Sequence, residues 1–142
     1  MSNAAIYYSN PSIGTVAAGG VIPTGSPASI VRRFGKGVNL SAAGVTLSRG
    51  GCYSYYATDF SVSIVAAGTT ATTAQLLQDG VPVEGASVTA AAAASGDVLV
   101  LNIPPALVRV GPGCPVQTSV LSVQLTGGGA NGGSITGRVV RL

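Results

Sequence analysis

The sequence predicts an all-β fold, an antiparallel sandwich or barrel in one domain. Three observations carry this. Phe60, Val62 and Ile64 alternate with Ser61 and Ser63, and Leu121, Val123 and Leu125 alternate with Ser122 and Gln124. That period of two puts one face of a strand on a core and the other in water. Runs of Val, Ile, Thr and Tyr are punctuated by Gly, Pro, Asn and Asp along the whole chain, as strands and turns require. No segment shows a 3.6-residue period with caps. About eight to ten short strands in one domain make a sandwich or barrel.

The elements follow in chain order. The N-terminal MSNAAIYYSNPS has no basic region followed by an apolar one, so it does not read as a secretory signal. Residues 1–15 are expected to form an arm or strand ahead of a domain over residues 16–142, with Ile6, Tyr7 and Tyr8 as the docking part of the arm. IPTGSPASIVRRFG carries Pro23, Pro27 and two glycines, and reads as an irregular connection followed by a short strand. GGCYSYYATDFSVSI is a long strand entered through Gly50-Gly51. In LLQDGVPVEG, Asp79-Gly80 marks a tight hairpin turn with positive φ. Pro82 then belongs to an edge strand or to the first residues of its strand. The alanines at 90–94 are too few for a stable helix and read as a small-residue strand or loop. DVLVLNI is apolar on both sides, so both faces are expected to be covered, one by the sandwich and one by another subunit. Gly127 to Gly133 is expected to be the flexible tip of a hairpin joining VLSVQLT to SITGRVVRL. The core strands are expected around Phe60, Ile64, Leu99, Leu101, Leu121 and Val123.

Composition sets the class of partner. Charged residues make up 8% of the chain, against about 25% in an ordinary soluble protein. A surface so poor in charge suits a chain that spends its life in an assembly. No apolar run approaches the roughly 20 residues of a membrane-spanning helix, and no membrane partner is expected. The net charge of +3 is scattered, and only Arg32, Arg33 and Lys36 cluster, with Phe34 among them. That is a solvated or interfacial basic patch rather than a nucleic-acid surface, so no nucleic-acid partner is expected.

The residues for catalysis are missing. There is no histidine, which removes the commonest general base and the commonest zinc ligand. The four acids, Asp59, Asp79, Glu84 and Asp97, show no calcium-loop spacing. No catalytic residue, metal or cofactor is expected. Cys52 and Cys114 have no neighbouring base in the sequence to activate a thiol. Two readings stay open for them, a Cys52–Cys114 disulfide or two buried free thiols. On a strand, Tyr53 and Tyr55 share one face, while Tyr56 lies on the other with Ser54 and Phe60. Three tyrosines divided over two faces do not make a stacking platform. Tyr53, Tyr55 and Tyr56 are instead read as subunit-interface residues.

The order of signals resembles a known family. GVTLSRGGCYSYYATDFSVSIVA is followed by TAQLLQDGVPVEGAS, then by SGDVLVLNI, then by two strands reaching the C-terminus. This resembles the jelly-roll domain of the tumour-necrosis-factor and complement-component superfamily over about residues 16 to 142. It is most similar to the bacterial and bacteriophage branch, which includes the heads of collagen-like spore-surface proteins. The chain has no Gly-X-Y tract and so lacks the stalk of those spore proteins. The resemblance implies a TNF-like jelly-roll sandwich, a homotrimer about a three-fold axis lined by one sheet, and binding rather than catalysis.

The function expected from all this is a non-enzymatic structural protein of a bacteriophage particle. It would be a trimeric jelly roll decorating the capsid or another virion surface, made in the cytosol without a signal peptide and docked on a major capsid or other virion protein. The alternatives are a fibre head that binds a receptor or cell-surface glycan, and a self-assembling subunit of an appendage, spore surface or cell surface.

Overall fold

Alternation is written into the longest strands. A computed structural model describes residues 4–25, 29–48, 54–111 and 118–142. The strands are β1 (Ala5–Asn10), β2 (Ile30–Phe34), β3 (Val38–Ser41), β4 (Gly44–Ser48), β5 (Ser54–Ala66), β6 (Thr72–Gln78), β7 (Val81–Ala90), β8 (Val98–Val110), β9 (Thr118–Thr126) and β10 (Ala130–Arg141). Along β5 every second residue, from Ser54 through Tyr56, Thr58, Phe60, Val62 and Ile64 to Ala66, is buried. The residues between them face outward, so the whole strand obeys the period-2 pattern.

Two five-stranded antiparallel sheets result. The first has the order β2-β1-β10-β5-β8 and the second β3-β4-β9-β6-β7. From β4 onward the chain crosses repeatedly between them, which is the jelly-roll path. The core lies between the sheets and includes Tyr8, Phe60, Ile64, Leu101 and Ile135 from the first, and Leu47, Leu76, Leu121, Val123 and Leu125 from the second. Leu99, expected in the core, packs against it half-buried.

The Asp79-Gly80 turn forms as expected, with φ of 54° at Asp79 and 80° at Gly80. The Asp79 carboxylate accepts hydrogen bonds from the Val120 amide at 2.9 Å and from Ser119 Oγ at 2.9 Å, tying the turn to β9. Pro82 lies on β7, the outermost strand of its sheet. Residues 91–97 form a loop closed by a hydrogen bond from the Ala94 amide to the Asp97 carboxylate at 3.1 Å.

Two expectations need correction. Residues 4–15, the described part of the expected arm, do not stand apart from the domain, because β1 lies between β10 and β2 in the first sheet. Its alternation decides this: Ile6 and Tyr8 point inward and are fully buried. The connection after β1 also stays on the sandwich. Ile13, Val16 and Ile22 are buried, and the Val16 and Ile22 amides donate to Ala130 O and Val123 O, both at 2.8 Å. The glycine-rich tip is also shorter than the sequence suggests. β10 begins at Ala130, and Gly133 pairs with Ile64 after a register shift. A Cβ at Gly133 would collide with Ser63 O, so glycine here serves close approach of two strands rather than flexibility.

β1 and β10 run antiparallel with Ala5 opposite Val140, and the Arg141 amide donates to Ala4 O at 2.8 Å. The ends of the described chain therefore lie side by side.

Candidate functional site

The first sheet has an inner face in the core and an outer face that no other described element covers. Strand register arranges the outer face in rows. Phe34, Ala5, Val140, Ala57 and Leu107 lie opposite one another across all five strands and make an apolar row. The next row is Arg32, Tyr7, Arg138 and Asp59. Beyond it come Ser9, Thr136, Ser61 and Asn102, then Ser134, Ser63 and Val100. Most of these side chains are small, so the face is flat.

Opposite charges meet on that face at one point in its middle. Arg138 Nη2 lies 3.2 Å from Asp59 Oδ2, the one ion pair among the described residues. Two shallow hollows flank it. One of about 210 Å³ is lined by Tyr7, Asp59, Ser61, Thr136 and Arg138. The other, of about 110 Å³, lies between Ala57, Asp59, Pro105 and Val140. Pro104 and Pro105 form a bulge of two residues opposite the single Asp59, between the pairs Thr58–Ala106 and Phe60–Ile103. Thr58 Oγ1 fixes the bulge, donating to Ala106 O at 3.1 Å and accepting from the Ala106 amide at 3.3 Å.

The rim of the face is apolar. On β8, Val98 is 63% exposed, Val100 61% and Leu107 58%. Val81 of β7, in the other sheet, is also largely exposed. A groove of about 380 Å³ separates Val81–Val83 from Leu107–Arg109. Gln78 spans its floor, donating from Nε2 to Arg109 O at 2.7 Å.

The tyrosines divide as their spacing demands. Tyr7 and Tyr55 lie on the outer face, both partly exposed. Tyr56 does not, which corrects its reading as an interface residue: it is fully buried in the chain's own core. Its hydroxyl donates to Ser48 O and lies 3.1 Å from Gly37 O, linking β5 to the other sheet. Burial raises its pKa, with Arg141 pulling it partly back. Tyr8 is buried beside Phe60, with ring centroids 6.3 Å apart and an interplanar angle of 64°. Burial pushes its phenol well above the ordinary tyrosine range. Ile6 and Tyr8 are therefore unavailable for docking, and of the three expected docking residues Tyr7 faces outward. Tyr53, Cys52, Cys114 and the Gly50-Gly51 entry to the long strand lie outside the described residues.

Sequence reasoning missed Asp59, Arg138 and the Pro104-Pro105 bulge as parts of this face. Asp59 and Arg138 are 79 positions apart, and only strand register joins them. The signal for β8 was present, since DVLVLNI is apolar on both sides. Among the described residues, no three acid or cysteine side chains gather where a metal could be held. Asp79 and Asp97 are committed to their turns.

No protein-family model and no curated protein matches this sequence. Solved structures do match, over nearly the whole chain. PRD1 vertex protein P5 aligns with a TM-score of 0.64 at 16% identity, covering 98% of this chain and 96% of its own. Murine APRIL at pH 5.0 aligns with a TM-score of 0.70 at 12% identity, covering 99% and 100%. The globular domain of zebrafish complement 1qA protein aligns with a TM-score of 0.61 at 9% identity, covering 99% and 97%. At these identities the likeness concerns architecture. With its two sheets in the orders described, the chain has the TNF-like antiparallel jelly-roll fold that these structures share.

Proposed function

We propose that this protein is a non-enzymatic structural component of a bacteriophage particle, a homotrimeric jelly roll on the virion surface. The observation that carries the proposal is the pairing of a flat, uncovered outer face with an apolar rim on the same chain. Val98, Val100 and Leu107 on the rim of one copy fit against the small residues Ser61, Ser63, Ser134 and Thr136 of the next. An edge that meets a face is a heterologous contact, and such contacts close into a ring when the rotation allows it. Three copies close the ring implied by the family resemblance. The fold's likeness to a vertex protein supports a place on a particle surface. A three-fold ring on a capsid lattice gains avidity from many weak contacts to a capsid or other virion protein.

A self-assembling appendage built by pairing an N-terminal arm with the next subunit's sheet edge loses support, because β1 already lies between β10 and β2 of its own chain. A glycan-binding head has one observation in its favour, the hollow that brings Tyr7 beside Asp59, Ser61, Thr136 and Arg138. That hollow lies on the face the trimer would cover.

Sedimentation velocity tests the assembly. A species of three times 13.8 kDa is expected, and a monomer at micromolar concentration overturns the trimer. For location, the chain should co-sediment in fixed stoichiometry with intact particles on a density gradient. Its absence from washed particles overturns the virion reading.

A further inference from the structure

A sandwich of two open sheets has four edges, and here they are not equivalent. β8 is interrupted by Pro104-Pro105 and β7 by Pro82, which removes backbone donors along both. β3 is four residues long. β2, Ile30–Phe34, contains neither proline nor glycine, and among the described residues its strand pairing is with β1 alone. Its far side presents backbone donors and acceptors in the plane of the sheet. These in-plane groups point along the sheet, away from the outer face on which Arg32 and Phe34 lie.

The side chains around this edge have one sign. Arg32, Arg33 and Lys36 are three of the chain's seven cations, placed within five positions. All three are exposed. The single ion pair among the described residues lies elsewhere, at Asp59–Arg138. Arg33 reaches across to β3 and donates from Nε to Val38 O at 2.7 Å, which steadies β2. Val31 and Phe34 are more than half exposed.

We propose that the free edge of β2 receives an extended acidic segment of another protein as an added strand. The chemistry selects that occupant. A second copy pairing through the same edge would set Arg32 and Arg33 against themselves, and like charges directly opposite destabilise a strand pair. A second copy offering β7 or β8 would bring proline to the ladder. An acidic strand meets both requirements at once: its backbone completes the ladder, and its carboxylates meet Arg32 and Lys36. Val31 is the extra residue at a register shift in β2, so the pairing is short and weak for one copy. Repetition in an assembly raises its avidity.

The probe is an acetylated, amidated peptide, Thr-Glu-Val-Glu-Val-Glu, followed by fluorescence anisotropy with the intact protein. Saturable binding is expected, weakened severalfold at about 0.5 M salt. The same peptide methylated on alternate backbone nitrogens should lose about tenfold or more, because strand addition needs those donors. Arg32→Gln with Lys36→Gln should lower affinity about fivefold while leaving thermal unfolding unchanged, since neither residue supports the fold through a hydrogen bond. Amide exchange at residues 30–34 should slow when peptide is present. Equal binding of the methylated peptide overturns the proposal, as does no binding at about 5 mM. Binding of an oligothymidylate of about twelve nucleotides more than tenfold tighter than the peptide also overturns it, and reassigns the patch to nucleic acid.

Discussion

Arg138 on β10 and Asp59 on β5 hold each other at 3.2 Å on the outer face of the first sheet, beside the small side chains Ala57, Ser61 and Thr136. Both side chains are at least half exposed in the single chain. An exposed pair contributes about 0–1 kcal/mol. Arg138→Ala should therefore move the urea midpoint of the isolated chain very little. In a trimer that covers the face, the same change leaves Asp59 buried and unpaired, and dissociation should rise by about tenfold or more. Denaturation and sedimentation on one variant separate the two effects.

The rim of β8 gives a matching prediction from the other side of the interface. Leu107→Asp and Val100→Asp alter residues more than half exposed. Their effect on the unfolding of a single chain should stay within about 0.5 kcal/mol. Each should convert the trimer to monomer at micromolar concentration. A trimer that survives both would remove β8 from the interface.

Tyr56→Phe deletes a buried hydroxyl bonded to Ser48 O. The carbonyl loses its partner inside the sandwich, and about 1–3 kcal/mol of stability should go with it. Oligomer size should not change, because the ring lies wholly in the core. Equilibrium unfolding in urea measures the loss.

Tyr8 and Tyr56 also set a limit in alkali. Burial raises both phenol pKa values above the unfolded value of 10.0. Below pH 10 both states hold the phenol protons and stability is at its full value. Above it the unfolded chain releases protons that the folded chain keeps, so stability falls as pH rises. Cooperative unfolding should accompany the delayed part of the tyrosinate absorbance rise. Tyr8→Phe should make stability less sensitive to pH above 10.

Gly137 lies beneath the Tyr8–Phe60 ring pair. A Cβ there would run into Tyr8 Cε1 and lie 2.6 Å from Phe60 Cε1. Gly137→Ala should cost about 1–3 kcal/mol by overpacking, read as a lower thermal midpoint. Gly68→Ala is the control, since open space surrounds that position.

Legibility in the sequence followed the range of each signal. Phe60, Val62 and Ile64 announced their strand face because alternation is local, and Asp79-Gly80 announced its turn because φ is local. β1 was harder. AAIYYSN alternates as clearly as β5 does, but its aromatic content drew the reading toward an exposed arm. Only the pairing of Ala5 with Val140, at opposite ends of the chain, shows that Ile6 and Tyr8 complete the core. Tyr56 was assigned to the face opposite Tyr55, and burial follows from that assignment alone. The outer face could not be read, since its rows are products of register between strands far apart in sequence. Gly133 reads as part of a flexible tip in the sequence, which shows a glycine's freedom but not the Ser63 carbonyl packed against it.

The antiparallel pairing of β1 with β10 has an engineering consequence. Ala4 and Arg141 are joined by a backbone hydrogen bond, so entry and exit of the chain share one pole of the domain. A few added residues could join them and the chain could be reopened in a surface loop such as 91–97, giving a circular permutant of the same sandwich. Passengers joined ahead of Ala4 or after Arg141 would start from the same pole of the sandwich, and the proposed ring of three would carry three of them in one orientation.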